Sequence, residues 1–290
     1  MNNTQGGEKI KALIIDDEEE SRKSIIHHLK EEFPEIECDE IVAKIDFLNA
    51  LEKSDFDVVI TDYQVRWGNG IEILREIKKR NPFIPVIMFT STGTEEVAVE
   101  AMKIGLDDYL VKSPGHFIKL PAVVETSIEK ARVKKQEKIL SLIVENAKEA
   151  VVSVDKDGKI IYVNKAVESI FGWKVEKIIG KPMSIFAVDV EKQRKQFEEA
   201  IKKGGKRFET TRKDKHGNEI PVLLTVIPFK DERGNLLFSS GIMVDIREQK
   251  EYEQKIEHLN EVLRAIRNVN QLLSLIHISE PTRLGMISYA

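Results

Sequence analysis

The chain has 290 residues, 41% hydrophobic and 32% charged, and this length is typical of two packed domains. Lys and Arg total 45 against 49 Asp and Glu, so the net charge of -4 gives no electrostatic reason to expect nucleic acid as a partner. The single cysteine excludes a disulfide framework. No apolar run reaches the roughly 20 residues of a membrane span, and residues 1–11 lack the apolar core of a signal peptide. We therefore expect a cytoplasmic protein.

Residues 10–120 alternate short apolar runs with amphipathic stretches. The apolar runs predict strands at 10–15, 37–42, 57–61, 85–89 and 108–111. Their apolar residues are largely consecutive, as in strands that are buried on both faces. The intervening stretches, such as GIEILREIKKR, have apolar residues three and four apart, as helices do. This alternation predicts an α/β domain in which helices cover both faces of a parallel sheet.

Polar residues follow four of these strands. Asp16 and Asp17 follow the first strand, Asp62 the third, Thr90 the fourth and Lys112 the fifth. Because the carboxyl ends of parallel strands share one edge of a sheet, we expect these side chains to meet there. Three neighbouring carboxylates repel one another unless a cation such as Mg²⁺ offsets their charge. Together with the lysine and the hydroxyl, they suit phosphoryl chemistry in which Asp62 is the nucleophile.

The segments IIDDEEESR, VVITDYQV, PVIMFTSTG and DDYLVKSP resemble the response-regulator receiver domain of two-component signalling, over residues 8–130. The resemblance implies a flavodoxin-like, doubly wound fold with a five-stranded parallel sheet. It also implies that Asp62 accepts a phosphoryl group from a sensor histidine kinase or phosphotransfer protein. Mg²⁺ would be held by Asp16, Asp17, Asp62 and the main-chain carbonyl of Gln64.

The same resemblance implies a switch around the phosphoryl group. Thr90 would contact that group, Lys112 would pair with it, and Tyr109 would rotate inward when Thr90 moves. This sequence departs from the family pattern after Lys112, because Ser113 stands where a proline usually follows, and Pro114 comes next. The cis peptide bond usual at that position is therefore in doubt, since cis bonds are essentially a proline property.

A long helical pattern covers residues 121–147, of which 131–147 form the predicted linker. After it, two β-rich runs flank the turn DKDG, a helical middle follows, and RFETTRKD, EIPVLLTVIPF and LLFSSGIMVDI predict three longer strands. The pattern predicts an α+β domain over residues 148–250.

This second region resembles a PAS domain of the S-box type, a family of sensor and dimerisation modules. The likeness rests on the Asp-Gly turn, Asn164, the Phe171-Gly172-Trp173 segment and the closing DIR tripeptide. No cofactor is predicted for it: the lone histidine, His216, lies in a turn, the region has no cysteine, and Phe171 and Trp173 are expected to be core residues. Whether the domain holds a small ligand stays open.

The sequence pattern over residues 251–272 predicts a connector helix. Its apolar residues follow a 4-3 spacing typical of a coiled coil, with a polar Asn270 in the seam, and this favours a homodimer. The alternative is an amphipathic helix that packs on its own domain. The last segment, 273–290, can be back-translated into a common transposase library adapter. We expect it to be translated adapter sequence, and the native gene to continue beyond it.

These patterns predict a phosphoprotein of two-component phosphorelay signalling. The receiver, phosphorylated on Asp62, would relay the signal through the helices and the PAS domain to an output that is not in this chain. Two alternatives stay open: the chain is the N-terminal part of a hybrid histidine kinase, or it is an adaptor that dimerises without phosphorylation control. Whether it has an enzymatic activity is not predicted.

Overall fold

Five parallel strands form the sheet of the first unit, in the order β2-β1-β3-β6-β7. In the computed structural model, which describes residues 9–92 and 94–279, these strands are β1 Lys11–Ile15, β2 Glu37–Ile41, β3 Val58–Thr61, β6 Val86–Thr90 and β7 Asp108–Val111. All four pairings are parallel. This order confirms the predicted doubly wound α/β architecture, and each strand lies within one residue of its predicted bounds.

Helices cover both faces of this sheet, and each face has its own core. They are α1 Glu19–Glu32, α2 Lys44–Lys53, α3 Gly70–Arg80, α4 Glu95–Ile104 and α5 Pro114–Glu145. Along β1, Leu13 and Ile15 pack into one core, whereas Ala12 and Ile14 pack into the other. Successive side chains of a strand point to opposite faces, so a strand between two helical layers must be apolar at every position.

Two features of this unit were not predicted. A short antiparallel ribbon, β4 Gln64–Val65 and β5 Gly68–Asn69, follows β3. The prediction that the last helix begins at residue 121 was wrong, because α5 begins at Pro114 and contains Pro121. A proline is well suited to the first position of a helix, where its missing N–H would have no helical partner, whereas a buried internal proline such as Pro121 gives no start signal.

The second unit contains an antiparallel sheet in the order β10-β11-β12-β8-β9. Its strands are β8 Ala150–Asp155, β9 Ile160–Val163, β10 Lys206–Lys213, β11 Glu219–Lys230 and β12 Leu236–Asp245. Helices α6 Ala166–Phe171, α7 Val175–Ile178 and α8 Val190–Lys202, with a 3₁₀ helix Met183–Phe186, complete the unit. This is the α+β arrangement that the sequence predicts. Gly158 has a φ of 78° in the predicted DKDG turn, and Gly234 has a φ of 83° in the turn between β11 and β12.

The chain divides by its contacts into the units 1–140 and 141–290. The second unit includes a further helix, α9 Arg247–Ser279, which continues past the predicted end of the connector at 272. Within the described residues, no helix is both long enough and apolar enough to cross a bilayer. Residues 280–290 of the predicted non-native tail lie outside the part of the chain that the structure describes.

Candidate functional site

The candidate site lies at the carboxyl edge of the parallel sheet, and strand register creates it. Ile15 at the end of β1 is paired with Thr61 at the end of β3, so the next residues, Asp16 and Asp62, leave the sheet side by side. The Asp62 N–H donates to the Ile15 carbonyl oxygen at 2.8 Å, which continues the ladder by one hydrogen bond. The two carboxylates therefore share one site although 46 positions separate them in the sequence.

Lys112, directly after β7, joins these two carboxylates. Its Nζ lies 2.7 Å from Asp16 Oδ2 and 2.6 Å from Asp62 Oδ2. The side chain of Lys112 is only 7% exposed, that of Asp16 is 3% exposed and that of Asp62 is 13% exposed. Burial opposes the charge on the ammonium, but the hydrogen bonds that it donates to the two carboxylates outweigh this effect, so the pKa of Lys112 is raised above its ordinary value.

Asp16 is held by further hydrogen bonds that the sequence did not reveal. Its Oδ1 accepts from the Glu18 N–H at 2.9 Å, and its Oδ2 accepts from the Ser21 hydroxyl at 2.7 Å. The guanidinium of Arg22 donates to the Asp16 carbonyl oxygen at 2.9 Å and to Glu40 Oε2 at 2.6 Å. Ser21 and Arg22 are buried on the first turn of α1, and the position of that turn after β1 is the only sequence signal for their role.

Asp17 and Gln64 lie apart from the lysine bridge. Asp17 Oδ2 accepts from the Arg66 N–H at 2.5 Å, and the Arg66 Nε lies 3.8 Å away. The Gln64 N–H donates to Asp62 Oδ1 at 3.4 Å, a long hydrogen bond that places the start of β4 beside Asp62. The structure thus brings Asp16, Asp62 and Lys112 into direct contact, with Asp17 held by the neighbouring loop.

Thr90 and Tyr109 complete the predicted set of site residues. Thr90 is fully buried at the end of β6; its Oγ1 accepts from the Thr92 N–H at 3.2 Å, and its carbonyl accepts from the Lys112 N–H at 2.9 Å. Among the described residues the buried hydroxyl of Tyr109 has no hydrogen-bond partner. Burial, and then the charge of Asp62, raise the pKa of Tyr109. The peptide bond after Ser113 is trans, as are all described peptide bonds.

The donor set fits Mg²⁺ in its chemistry. Asp16, Asp17 and Asp62 supply carboxylate oxygens, and Gln64 supplies a carbonyl oxygen, the hard ligands that Mg²⁺ prefers. Nowhere in the described residues are three or more acidic, histidine or cysteine side chains grouped closely enough to hold an ion. Because Mg²⁺ usually takes one or two carboxylates together with waters, the Asp16 and Asp62 pair is sufficient in kind, and the full ligand set stays a prediction.

In the second unit, Asn164 ties three backbone groups together. It is fully buried; its Oδ1 accepts from the Val151 N–H at 2.9 Å, and its Nδ2 donates to the carbonyls of Val144 and Glu149 at 2.8 and 2.9 Å. Phe171 is a core residue, as predicted, and Trp173 packs against that core. His216 lies in a turn, also as predicted.

Family models match both units. Residues 12–124 match the model described as the response regulator receiver domain, and residues 148–248 match the model of a PAS domain. Both resemblances noted in the sequence are thereby confirmed. The chain carries a receiver domain followed by a PAS domain.

Curated relatives match part of the chain. The transcriptional regulatory protein ZraR of Klebsiella oxytoca is 42% identical over 89 residues, which are 30% of this chain and 20% of that protein. A putative response regulator, NtrX-like, of Rickettsia felis is 34% identical over 132 residues, 44% of this chain and 27% of that protein. The matched region thus spans about a quarter or less of either relative.

Solved structures resemble parts of the chain. A response regulator receiver domain protein (CheY-like) from Methanospirillum hungatei JF-1 is 23% identical, covering 44% of this chain and 99% of its own, with a TM-score of 0.40. The PAS domain of a protein from Colwellia psychrerythraea is 25% identical, covering 39% of this chain and 98% of its own, with a TM-score of 0.37.

Proposed function

We propose that the chain acts in two-component signalling in the cytoplasm, and that a partner histidine kinase or phosphotransfer protein phosphorylates it on Asp62. The observation that supports this most strongly is the shared ion pair of Asp16, Lys112 and Asp62 at the carboxyl edge of the sheet. A carboxylate beside a fixed ammonium is oriented as a nucleophile, and the ammonium offsets the negative charge of an incoming phosphoryl group.

In the proposed reaction an oxygen of Asp62 attacks the phosphorus of a phosphohistidine. A P–O bond to Asp62 forms as the P–N bond to the donor imidazole breaks, and the imidazole keeps the electron pair and takes up a proton. Mg²⁺, held by Asp16, Asp17, Asp62 and the Gln64 carbonyl, would offset charge on the phosphoryl oxygens when bound. Lys112 then pairs with the phosphoryl group in addition to Asp16.

The added phosphoryl group carries about two negative charges, which changes the balance around Lys112. Thr90 is buried at the end of β6 and is paired with Val111, the residue directly before Lys112. The hydroxyl of Tyr109, which has no hydrogen-bond partner within the described ranges, lies within the electrostatic influence of Asp62. We assign these two residues the role of the switch that responds to phosphorylation. The conformational change at this switch would be transmitted to the PAS domain and to the helices α5 and α9.

Labelling from acetyl phosphate, a small acyl-phosphate donor, tests the acceptor. We expect phosphorylation of the wild type with Mg²⁺, a loss of labelling in Asp62→Asn, and full labelling in Asp46→Asn, which changes an exposed aspartate of α2. Removing Mg²⁺ with a chelator is expected to reduce labelling strongly. Equal labelling of the wild type and Asp62→Asn would refute the assignment.

A homodimer through α9 is the second part of the proposal. Five apolar side chains with 4-3 spacing on this helix are more than half exposed: Tyr252, Ile256, Leu259, Leu263 and Ile266. A second copy of the same helix would cover this seam. Light scattering after size exclusion is expected to give a dimer for the wild type and for Glu261→Ala, and a monomer for Ile256→Asp combined with Leu263→Asp. A monomeric wild type would contradict the pairing.

A further inference from the structure

The second unit contains a partly open cavity of about 60 Å³. The inner faces of β8, β10, β11 and β12 line it on one side, and the 3₁₀ helix and α8 line it on the other. Val152, Leu224 and Phe197 are among its apolar walls. The space exceeds the roughly 10–15 Å³ that one water needs, and it is far smaller than the roughly 300–1,000 Å³ of sites for drug-sized ligands.

Arg212 is the unusual residue in this wall. It belongs to β10, is only 5% exposed, and forms its hydrogen bonds through Nη1 to the Thr210 hydroxyl at 3.2 Å and the Thr211 carbonyl at 3.1 Å. Both acceptors are uncharged and belong to its own strand. No aspartate or glutamate in the described ranges forms an ion pair with this guanidinium.

A buried arginine without a counter-charge is energetically unfavourable. Burial lowers the pKa of Arg212 to about 10, and no carboxylate offsets that effect. Buried charges in folded proteins are nearly always paired, because the loss of hydration is otherwise uncompensated. An anion in this cavity would supply the counter-charge that Arg212 lacks.

Two further polar residues line the same cavity. Ser239 of β12 is 1% exposed and Gln193 of α8 is 7% exposed. The Gln193 amide donates to the Met183 carbonyl at 3.3 Å, which holds its side chain across the cavity from the sheet. A hydroxyl and an amide beside a guanidinium can bind a second oxygen of a small anion, while the apolar walls accept a short carbon chain.

We propose that this cavity binds a small organic carboxylate whose charged group pairs with Arg212. The guanidinium presents a planar pair of N–H donors that matches the two oxygens of a carboxylate. The cavity volume limits the ligand to a few non-hydrogen atoms, and the apolar walls favour an aliphatic carboxylate over an inorganic anion. The inference concerns the PAS domain alone and holds whether or not Asp62 is phosphorylated.

Calorimetric titration of the full chain with sodium propionate, at constant ionic strength, tests the proposal. Propionamide has nearly the same shape without the charge, and it is expected to bind at least about tenfold more weakly. Arg212→Met is expected to abolish propionate binding. Arg207→Met is the matched control, because Arg207 lies on the same strand but is exposed, and it is expected to bind propionate like the wild type.

Several outcomes would overturn the proposal. These are equal binding of propionate and propionamide, unchanged binding in Arg212→Met, or phosphate binding as tightly as propionate. Arg212→Met is expected to fold at least as stably as the unliganded wild type, since it removes an uncompensated buried charge; an unfolded variant would contradict the argument. Magnetisation transfer from ¹³C-labelled propionate to the methyl groups of Met183 and Met243 would support this location, and transfer to other sites only would refute it.

Discussion

Replacing Lys112 by methionine tests the central ion pair of the receiver. The substitution keeps most of the side-chain volume and removes the ammonium that Asp16 and Asp62 share at 2.7 and 2.6 Å. The two carboxylates, both mostly buried, then face each other without a cation. One of them must be protonated or move toward solvent, and both outcomes cost folding free energy.

The size of the effect follows from the burial of the partners. Removing one member of a buried ion pair typically costs about 3–5 kcal/mol. Asp62 retains 13% exposure at the open edge of the sheet, which allows partial hydration. We therefore expect Lys112→Met to lower the free energy of unfolding by about 3 kcal/mol, the lower end of that range. Lys23→Met is the control, because its ion pair with Glu19 is about two-thirds exposed on both sides and is expected to contribute little.

Urea unfolding with tryptophan fluorescence measures this difference. The chain has one tryptophan in each unit, so a Trp173→Phe background leaves Trp67 as the reporter of the first unit. Added Mg²⁺ is expected to stabilise Lys112→Met more than the wild type, because the ion replaces the missing positive charge and binds only the folded state. A variant with the wild-type urea midpoint, or with an equal response to Mg²⁺, would refute the reasoning.

Three further substitutions or reactions test other parts of the structure. Asn164→Ala removes a buried side chain that forms hydrogen bonds with three backbone groups, and it is expected to lower the stability of the second unit by about 3 kcal/mol in urea. Asn235→Ala in an exposed turn should have a small effect, and equal urea midpoints of the two variants would contradict this. Gly70→Ala would place a Cβ 2.8 Å from the Asp62 carbonyl oxygen. It is expected to lower the free energy of unfolding by about 1–3 kcal/mol and to slow the phosphoryl labelling of Asp62. Gly115→Ala is the control, because its Cβ would have nothing within 4 Å, and it should have neither effect. Burial raises the pKa of Cys38 from 9.0 to about 11, so at pH 8 its thiolate fraction is about 100-fold lower than that of an ordinary thiol. Iodoacetamide labelling, followed by mass spectrometry, should therefore be correspondingly slow, and it should become faster as the pH rises or in urea. Rapid labelling of the folded chain at pH 8 would show that the thiol is exposed.

The sequence was sufficient for the architecture of both units. Strands buried on both faces must be apolar at every position, so runs such as those at 57–61 and 85–89 are visible without knowledge of the fold. The receiver and PAS resemblances rest on short segments in a regular order, and family models confirm both. The helical pattern predicts that α5 starts at Pro121, seven residues after its actual start at Pro114, because prolines are common at the first position of a helix.

The chemistry of the candidate site was only partly visible. That Asp16, Asp62 and Lys112 share one edge follows from parallel strands, but the sequence predicts a metal between the carboxylates, whereas the structure places the lysine in contact with both. The position of an ammonium on a long flexible side chain depends on the charges that surround it after folding. The support that Ser21 gives to Asp16 likewise exists only once α1 has packed against the sheet.

Arg212 marks the limit of sequence analysis for this chain. In the segment RFETTRKD it is one of several charged residues on a polar strand. The alternation of a strand puts it on the opposite face from Arg207, which is exposed, but a strand with a single apolar residue does not show how deeply either face is buried. Pairing of β10 with β11 sets Arg212 opposite Ile220, and a bridge to Ala187 covers its strand end, so its side chain is buried while that of Arg207 remains in solvent. Composition and periodicity determine which segments form strands and helices, because those preferences are local. Burial of an individual charge depends on neighbours that are distant in sequence, and the tertiary structure alone decides it.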